Sequence, residues 1–248
     1  MIDISIFLPF RERLDFFAKL MDSLKKTTTN PERVELVIAI DNDDTPVINQ
    51  IGNLVENNLP FDLRFLLRQR GEHMIKTYIN PAARICRGRF LLASSDDAVF
   101  KTVGWDRILY QKMDDAFLRD GDDIHLGLIN DGINRTDEDP LFPRFSCWPV
   151  LGREMLLAKG NYIYHEHFNF WGLDWFLADV FRRMKRLVSI TDVLIDHYSV
   201  HTGQRARDEN YERFAKVKTI YDDALVTEES QRLIDLIFEI RRQKGINT

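Results

Sequence analysis

Four short apolar runs punctuate the first 95 residues: ISIFLPF (4–10), VELVIAI (34–40), DLRFLLR (62–68) and RFLLASS (89–95). The stretches between them have helical spacing. In RLDFFAKLMDSLKKT, Leu14, Phe17, Leu20, Met21 and Leu24 fall on one helix face. TPVINQIGNLVENN predicts a second helix, with Thr45 as N-cap and Pro46 in its first turn. Residues 73–87 predict a third, which Pro81 starts or kinks. Continuous apolar runs belong to strands buried on both faces, and their alternation with helices requires a parallel sheet covered on either side.

The second half is more mixed. GWDRILYQKMDDAFLRD reads as a helix and DIHLGLIND as a strand. Residues 131–144 are polar, contain two prolines and predict a surface loop. A helix over about 172–186, a strand LVSITDVLI and a helical C-terminus follow, with SQRLIDLIFEIRRQ amphipathic. No linker divides the chain. One α/β domain over 1–208 with a helical extension over 209–248 is expected, and 248 residues at 44% hydrophobic supply its core.

Net charge of −5 excludes nucleic-acid binding through overall charge, though not through a local groove. Cys86 and Cys147 form no CxxC pair, so a reducing, cytoplasmic setting is expected. MIDISIFLPFRER lacks the basic and apolar regions of a signal peptide, and no apolar window is long enough to span a membrane.

Ligands of parallel α/β sheets bind beyond the carboxyl ends of the strands. Acids collect there: Asp41 to Asp44 after the second strand, Asp96 and Asp97 after the fourth. Single acids at such junctions commonly cap helices. Two adjacent carboxylates at a buried strand end need a cation. LVIAIDNDDT also has the strand-then-DxDxT form of a haloacid-dehalogenase phosphatase, with Asp41 as nucleophile and Asp43 as acid, although a whole strand–helix unit precedes it. An EF-hand reading of DNDDTP fails, since the sixth-position Gly and distal Glu are missing.

As a whole the chain resembles the family 2 glycosyltransferases. ISIFLPFRER is similar to their first strand, VIAIDNDDT to the second, and NPAARICRGRFLLASSDDAVF to the segment ending in the DxD-type motif. The resemblance implies a GT-A-like, Rossmann-like, mostly parallel sheet flanked by helices. Residues 1–101 would be the nucleotide-sugar half and 102–208 the acceptor half. It implies a UDP- or GDP-sugar donor and a divalent metal, Mn²⁺ or Mg²⁺. Asp41 and Asp43 would contact base and ribose, Asp96 the ribose and Asp97 the metal, with Pro9, Arg11 and Arg84 as further donor contacts. SDDA lacks the acid that many members carry just before the pair.

FNFWGLDWFLADVFRRM resembles the element bearing the general base, which makes Asp174 the candidate; Leu173 stands where the family often has Glu, and Asp179 is a weaker choice. HEHF (165–168) is not HExxH, because Asn169 is four residues after His165, so a zinc reading finds no third ligand and Glu166 becomes the reserve base. VLIDHYSVHTGQRARD resembles the segment whose His completes the metal site, with His197 first and His201 second, and Arg205 and Arg207 suit a diphosphate lid. Trp148, Trp171 and Trp175 either line an acceptor cleft or fill core. The implied reaction is inverting sugar transfer to a hydroxyl of a glycan, lipid-linked sugar, protein or modified nucleic-acid base. A phosphatase using Asp41 and an inactive nucleotide-sugar or glycan binder are the alternatives.

Overall fold

The computed structural model describes residues 1–56, 59–133, 145–158, 160, 162–169, 172–200, 203–204, 206–209, 212 and 223–245. Eight strands form one sheet in the order β3-β2-β1-β4-β7-β6-β8-β5. They are β1 (Ile4–Phe10), β2 (Val34–Asp41), β3 (Asp62–Arg68), β4 (Phe90–Ala93), β5 (Ala98–Phe100), β6 (Leu126–Asn130), β7 (Pro149–Gly152) and β8 (Leu187–His197). The helices are α1 (Leu14–Thr27), α2 (Thr45–Glu56), α3 (Asn80–Ile85), α4 (Trp105–Asp120), α5 (Arg153–Ala158), α6 (Leu173–Arg183) and α7 (Asp223–Gln243).

The first four strands pair in parallel, as their apolar runs predict. The second half departs from an all-parallel sheet. β7 is antiparallel to both β4 and β6, and β5 is antiparallel to β8, while β6 and β8 are parallel. β5, β7 and α5 have only three to six residues each, too few for a period to register in sequence. The helix expected over 73–87 begins as a single π-type turn, Ile75–Ile79, and becomes α-helical at Asn80, with Pro81 in its first turn. The N-cap of α2 is Asp44 rather than Thr45: its carboxylate accepts from Val47 N at 3.3 Å and its carbonyl from Ile48 N.

Alternate β1 side chains divide between two cores. Ile4, Ile6, Leu8 and Phe10 pack with Phe17, Leu20 and Leu24 of α1 on one sheet face. Phe7 joins Tyr78, Ala82 and Ala83 on the other, where Phe176 and Phe181 of α6 and Val226, Leu233 and Ile237 of α7 also pack. Each fully buried Leu, Ile, Val or Phe among them contributes roughly 1.5–3 kcal/mol.

One buried acid serves structure alone. Glu35 in β2 has no solvent exposure; it accepts from Ser5 Oγ, from Arg87 N at 2.8 Å and from Arg87 Nε at 2.7 Å. Glu35→Ala strands the Ser5 hydroxyl and the Arg87 amide and leaves a void. The expected loss is about 3 kcal/mol, read as a lowered urea midpoint at unchanged slope.

Candidate active site

Strand direction decides what can meet. β4 is parallel to β1, and β7 is antiparallel to both β4 and β6, so β6 and β8 point the same way as β1 to β4. The carboxyl ends of six strands therefore share one edge. Asp41 ends β2, Asp96 and Asp97 follow β4, Asp131 follows β6 and His197 ends β8. The amino end of β7 lies there too, preceded by Cys147 and Trp148.

The β1–α1 loop supplies the cations. Arg11 Nη1 donates to Asp41 Oδ2 at 2.9 Å and to Asp43 Oδ1 at 2.7 Å. Tyr78 donates its hydroxyl to the other Asp41 oxygen at 2.6 Å and accepts from Gly71 N. Glu12, at φ 63°, places its amide on Asp44 Oδ2 at 2.8 Å, tying the loop to α2. Arg13 spans the site: Nη1 reaches Asp96 Oδ1 at 3.1 Å, while Nε and Nη2 form a fork on Asp208 at 2.7 and 2.9 Å. Burial by itself would lower the pKa of Arg13; the charges of Asp96 and Asp208 outweigh it and keep the guanidinium ionised.

The adjacent carboxylates thus separate. Asp96 turns to Arg13. Asp97, only 3% exposed, receives the Ser95 hydroxyl and has His197 Nε2 at 3.5 Å from Oδ1. β5 holds this register, because Ala98 pairs with His197 and Tyr198 N donates to Asp97 O at 3.0 Å. His197 also packs edge-on to Trp148, ring centroids 4.9 Å apart, and its buried Nδ1 has no hydrogen-bond partner among the described residues.

Asp174 sits in the first turn of α6, after Gly172 at φ 82°. The residue retains some exposure, but its carboxyl is closely surrounded by protein. Burial, and then the charge of Asp131, push its pKa up to about 7; His197 and a hydrogen bond from the Tyr164 hydroxyl offset part of this. Burial and the Asp174 charge in turn hold the Tyr164 phenol well above its ordinary value. Asp131, 2% exposed, is fixed by Cys147 N at 2.9 Å and Ile133 N at 3.0 Å.

The chain matches no protein-family model, and no curated protein sequence matches it. Solved structures do resemble it. Residues 1–349 of S. aureus TarS superpose with a TM-score of 0.59 at 14% identity, covering 98% of this chain and 74% of that one. The mannosyltransferase PcManGT from Pyrobaculum calidifontis, in complex with GDP-Man and Mn²⁺, gives 0.57 at 14% identity over 78% and 56%. GalNAc-T7 with UDP, GalNAc and Mn²⁺ gives 0.59 at 11% identity over 79% and 44%.

The fold is GT-A.

Other predicted positions fall at varied distances from the centre of this GT-A edge. Pro9 is partly exposed near the end of β1, paired in register with Ala39. Arg84 is exposed on α3, while Arg11 bonds Asp41 and Arg13 bonds Asp96. Glu166 is on an exposed rim, paired with Lys76 at 3.3 Å, and its carbonyl is 3.2 Å from His73 Nε2. No group of three or more His, Cys, Asp or Glu side chains that could hold a metal occurs among the described residues. Trp148 is core and Trp175 is 43% exposed. Trp171, His201 and Arg205 lie outside the described residues. No described helix is long and apolar enough to cross a membrane.

Sequence reasoning missed Arg13, Tyr78, Asp131, Tyr164 and Asp208. Asp131 had a signal, since it closes the apolar run LGLIN just as Asp41 closes its own. Arg13 and Asp208 are 195 residues apart and carried none.

Proposed function

We propose that this protein is a metal-dependent glycosyltransferase that moves a sugar, with inversion, from a nucleoside-diphosphate sugar to an acceptor hydroxyl. The observation that carries the reading is the meeting of Asp97 and His197 at one sheet edge, with the pKa of Asp174 pushed up to about 7 by burial and by the charge of Asp131.

Asp97 and His197 fit a divalent cation. Their facing atoms are 3.5 Å apart, too far for a good hydrogen bond and close enough to share one ion. Mg²⁺ and Mn²⁺ accept such a two-ligand site, because substrate phosphates and water complete the shell. Bound there, the cation would neutralise charge growing on the diphosphate as the glycosidic bond breaks. The bound nucleotides and Mn²⁺ named for PcManGT and GalNAc-T7 support a UDP- or GDP-sugar donor with this metal.

The chain's own groups do the rest. Asp41 and Asp43, aligned by Arg11 and Tyr78, would receive base and ribose beside Pro9. Asp96, oriented by Arg13, would receive a ribose hydroxyl. Asp174 would take the proton of the acceptor hydroxyl as its oxygen attacks the anomeric carbon opposite the departing diphosphate. Tyr164 holds that carboxylate in place. Glu166, exposed and paired with Lys76, is the reserve base. Residues 1–101 form the donor half in this reading and 102–208 the acceptor half. Both Asp41 oxygens are already engaged, which disfavours it as a phosphatase nucleophile.

The test is a panel of UDP-, GDP- and dTDP-sugars with Mn²⁺, Mg²⁺ or EDTA. Nucleoside diphosphate should be released from one donor and release should cease with EDTA. Absence of any nucleotide-dependent thermal shift or turnover would overturn the reading.

A further inference from the structure

Helix α6 carries more than the candidate base. Trp175, one residue after Asp174, leaves 43% of its surface exposed, an unusual position for the largest apolar side chain. Its ring does not lie loose. It packs on Phe145, centroids 5.3 Å apart at 52°, and Phe145 is itself half-buried against the core. Two residues beyond Phe145, the Cys147 amide holds Asp131, whose charge acts on Asp174. The exposed indole thus stands in the same first turn of α6 as the candidate base, on a ring whose segment Cys147 ties to Asp131.

The same helix face continues with Asp179 and Arg182, four and seven residues on. At helical rise these lie about 6 and 10 Å from Trp175 along the axis. Both side chains are partly exposed, and Arg182 Nη1 bonds Asp179 Oδ1 at 2.7 Å. An apolar ring face followed by a carboxylate and a guanidinium is a poor surface for a lipid chain, which needs continuous apolar area. It suits a carbohydrate, whose rings offer a C–H face for stacking and hydroxyls for both charged groups.

Resting on the transferase reading, we infer that Trp175, Asp179 and Arg182 form the acceptor track, and that the acceptor is a saccharide of at least two rings. The ring bearing the reactive hydroxyl, or the one next to it, stacks on the Trp175 indole. The following ring reaches Asp179 and Arg182. Trp175 is then a specificity residue and Asp179 an acceptor contact.

Equilibrium binding tests this without turnover. The full chain, saturated with UDP and Mn²⁺, is titrated with purified di- to hexasaccharides, neutral and anionic, by saturation-transfer NMR and indole fluorescence. Wild type should bind at least one saccharide, with its emission altered. Trp175→Ala should weaken that Kd roughly tenfold or more. Trp175→Phe should retain most of the affinity while losing the emission change, and Arg182→Ala should discriminate against the longer saccharides. Trp175→Phe keeps a ring on Phe145 and should melt like wild type, as should Arg182→Ala, whereas Trp175→Ala loses that packing and should melt lower; Trp175→Phe therefore controls for folding. Three results would overturn the inference: no saccharide bound by wild type, equal binding by Trp175→Ala, or a turnover acceptor that is a peptide or lipid phosphate lacking a sugar ring. Failure of the transferase reading itself looks different, as saccharide binding through Trp175 with no donor consumed.

Discussion

Asp97→Asn is expected to lower metal-dependent release of nucleoside diphosphate by about 10³-fold, the scale of losing a preorganised charge at the departing group. The substitution is nearly isosteric and leaves Asp96 on Arg13. It keeps a side-chain oxygen to receive the Ser95 hydroxyl, so stability without metal should change little. Mn²⁺ titration separates a ligand from a packing residue: the stabilisation of wild type by Mn²⁺ should vanish in the variant, and residual turnover should require at least tenfold more metal. Wild-type turnover with an unchanged Mn²⁺ dependence would remove Asp97 from the metal site and with it the core of the proposed chemistry.

Asp174→Asn should cut transfer by 10²–10⁴-fold while nucleotide binding persists, the range for loss of a positioned general base. Wild-type transfer should rise with pH through about 7, because only the carboxylate accepts the proton. A bound cation beside His197 would shift that limb to lower pH. Stability changes in the opposite sense. The folded pKa of Asp174 lies above its unfolded value, so between about pH 4 and 7 the folded state holds the extra proton, and stability from this group falls as pH rises. The Asn variant lacks that loss. It should match wild type at pH 4.5 and exceed it by about 2–4 kcal/mol at pH 8, in urea denaturation without metal. A difference independent of pH would place the carboxyl in water and deny it a raised pKa.

Much of the scaffold was legible. The runs of β1, β2 and β4 are buried on both faces, and a continuous apolar run shows in any register; the run at 62–68 forms the edge strand β3, which is only partly buried and leaves Leu67 exposed. Asp41 and Asp97 followed from those runs by their place at strand ends. Asp131 was reachable by the same rule and was passed over, because a polar stretch with prolines follows it and reads as a loop. The boundary residue of α2 was misplaced by one, since Asp44 and Thr45 are both good caps and only the bond to Val47 separates them.

The sequence by itself determined that the first four strands pair in parallel and that their common edge collects carboxylates. Parallel strands joined by helical crossovers all end at the same sheet edge. The tertiary structure alone decided which group faces which acid: Arg13 takes Asp96 and Asp208, while His197 faces Asp97 through the short antiparallel pairing of β5 with β8. It also decided that burial pushes the Asp174 pKa up to about 7 and that Trp175 stays partly exposed while Trp148 is buried. Those outcomes depend on contacts between residues far apart in the chain, up to the 195 that separate Arg13 from Asp208, and on how much water each group keeps. Neither quantity is written in local spacing.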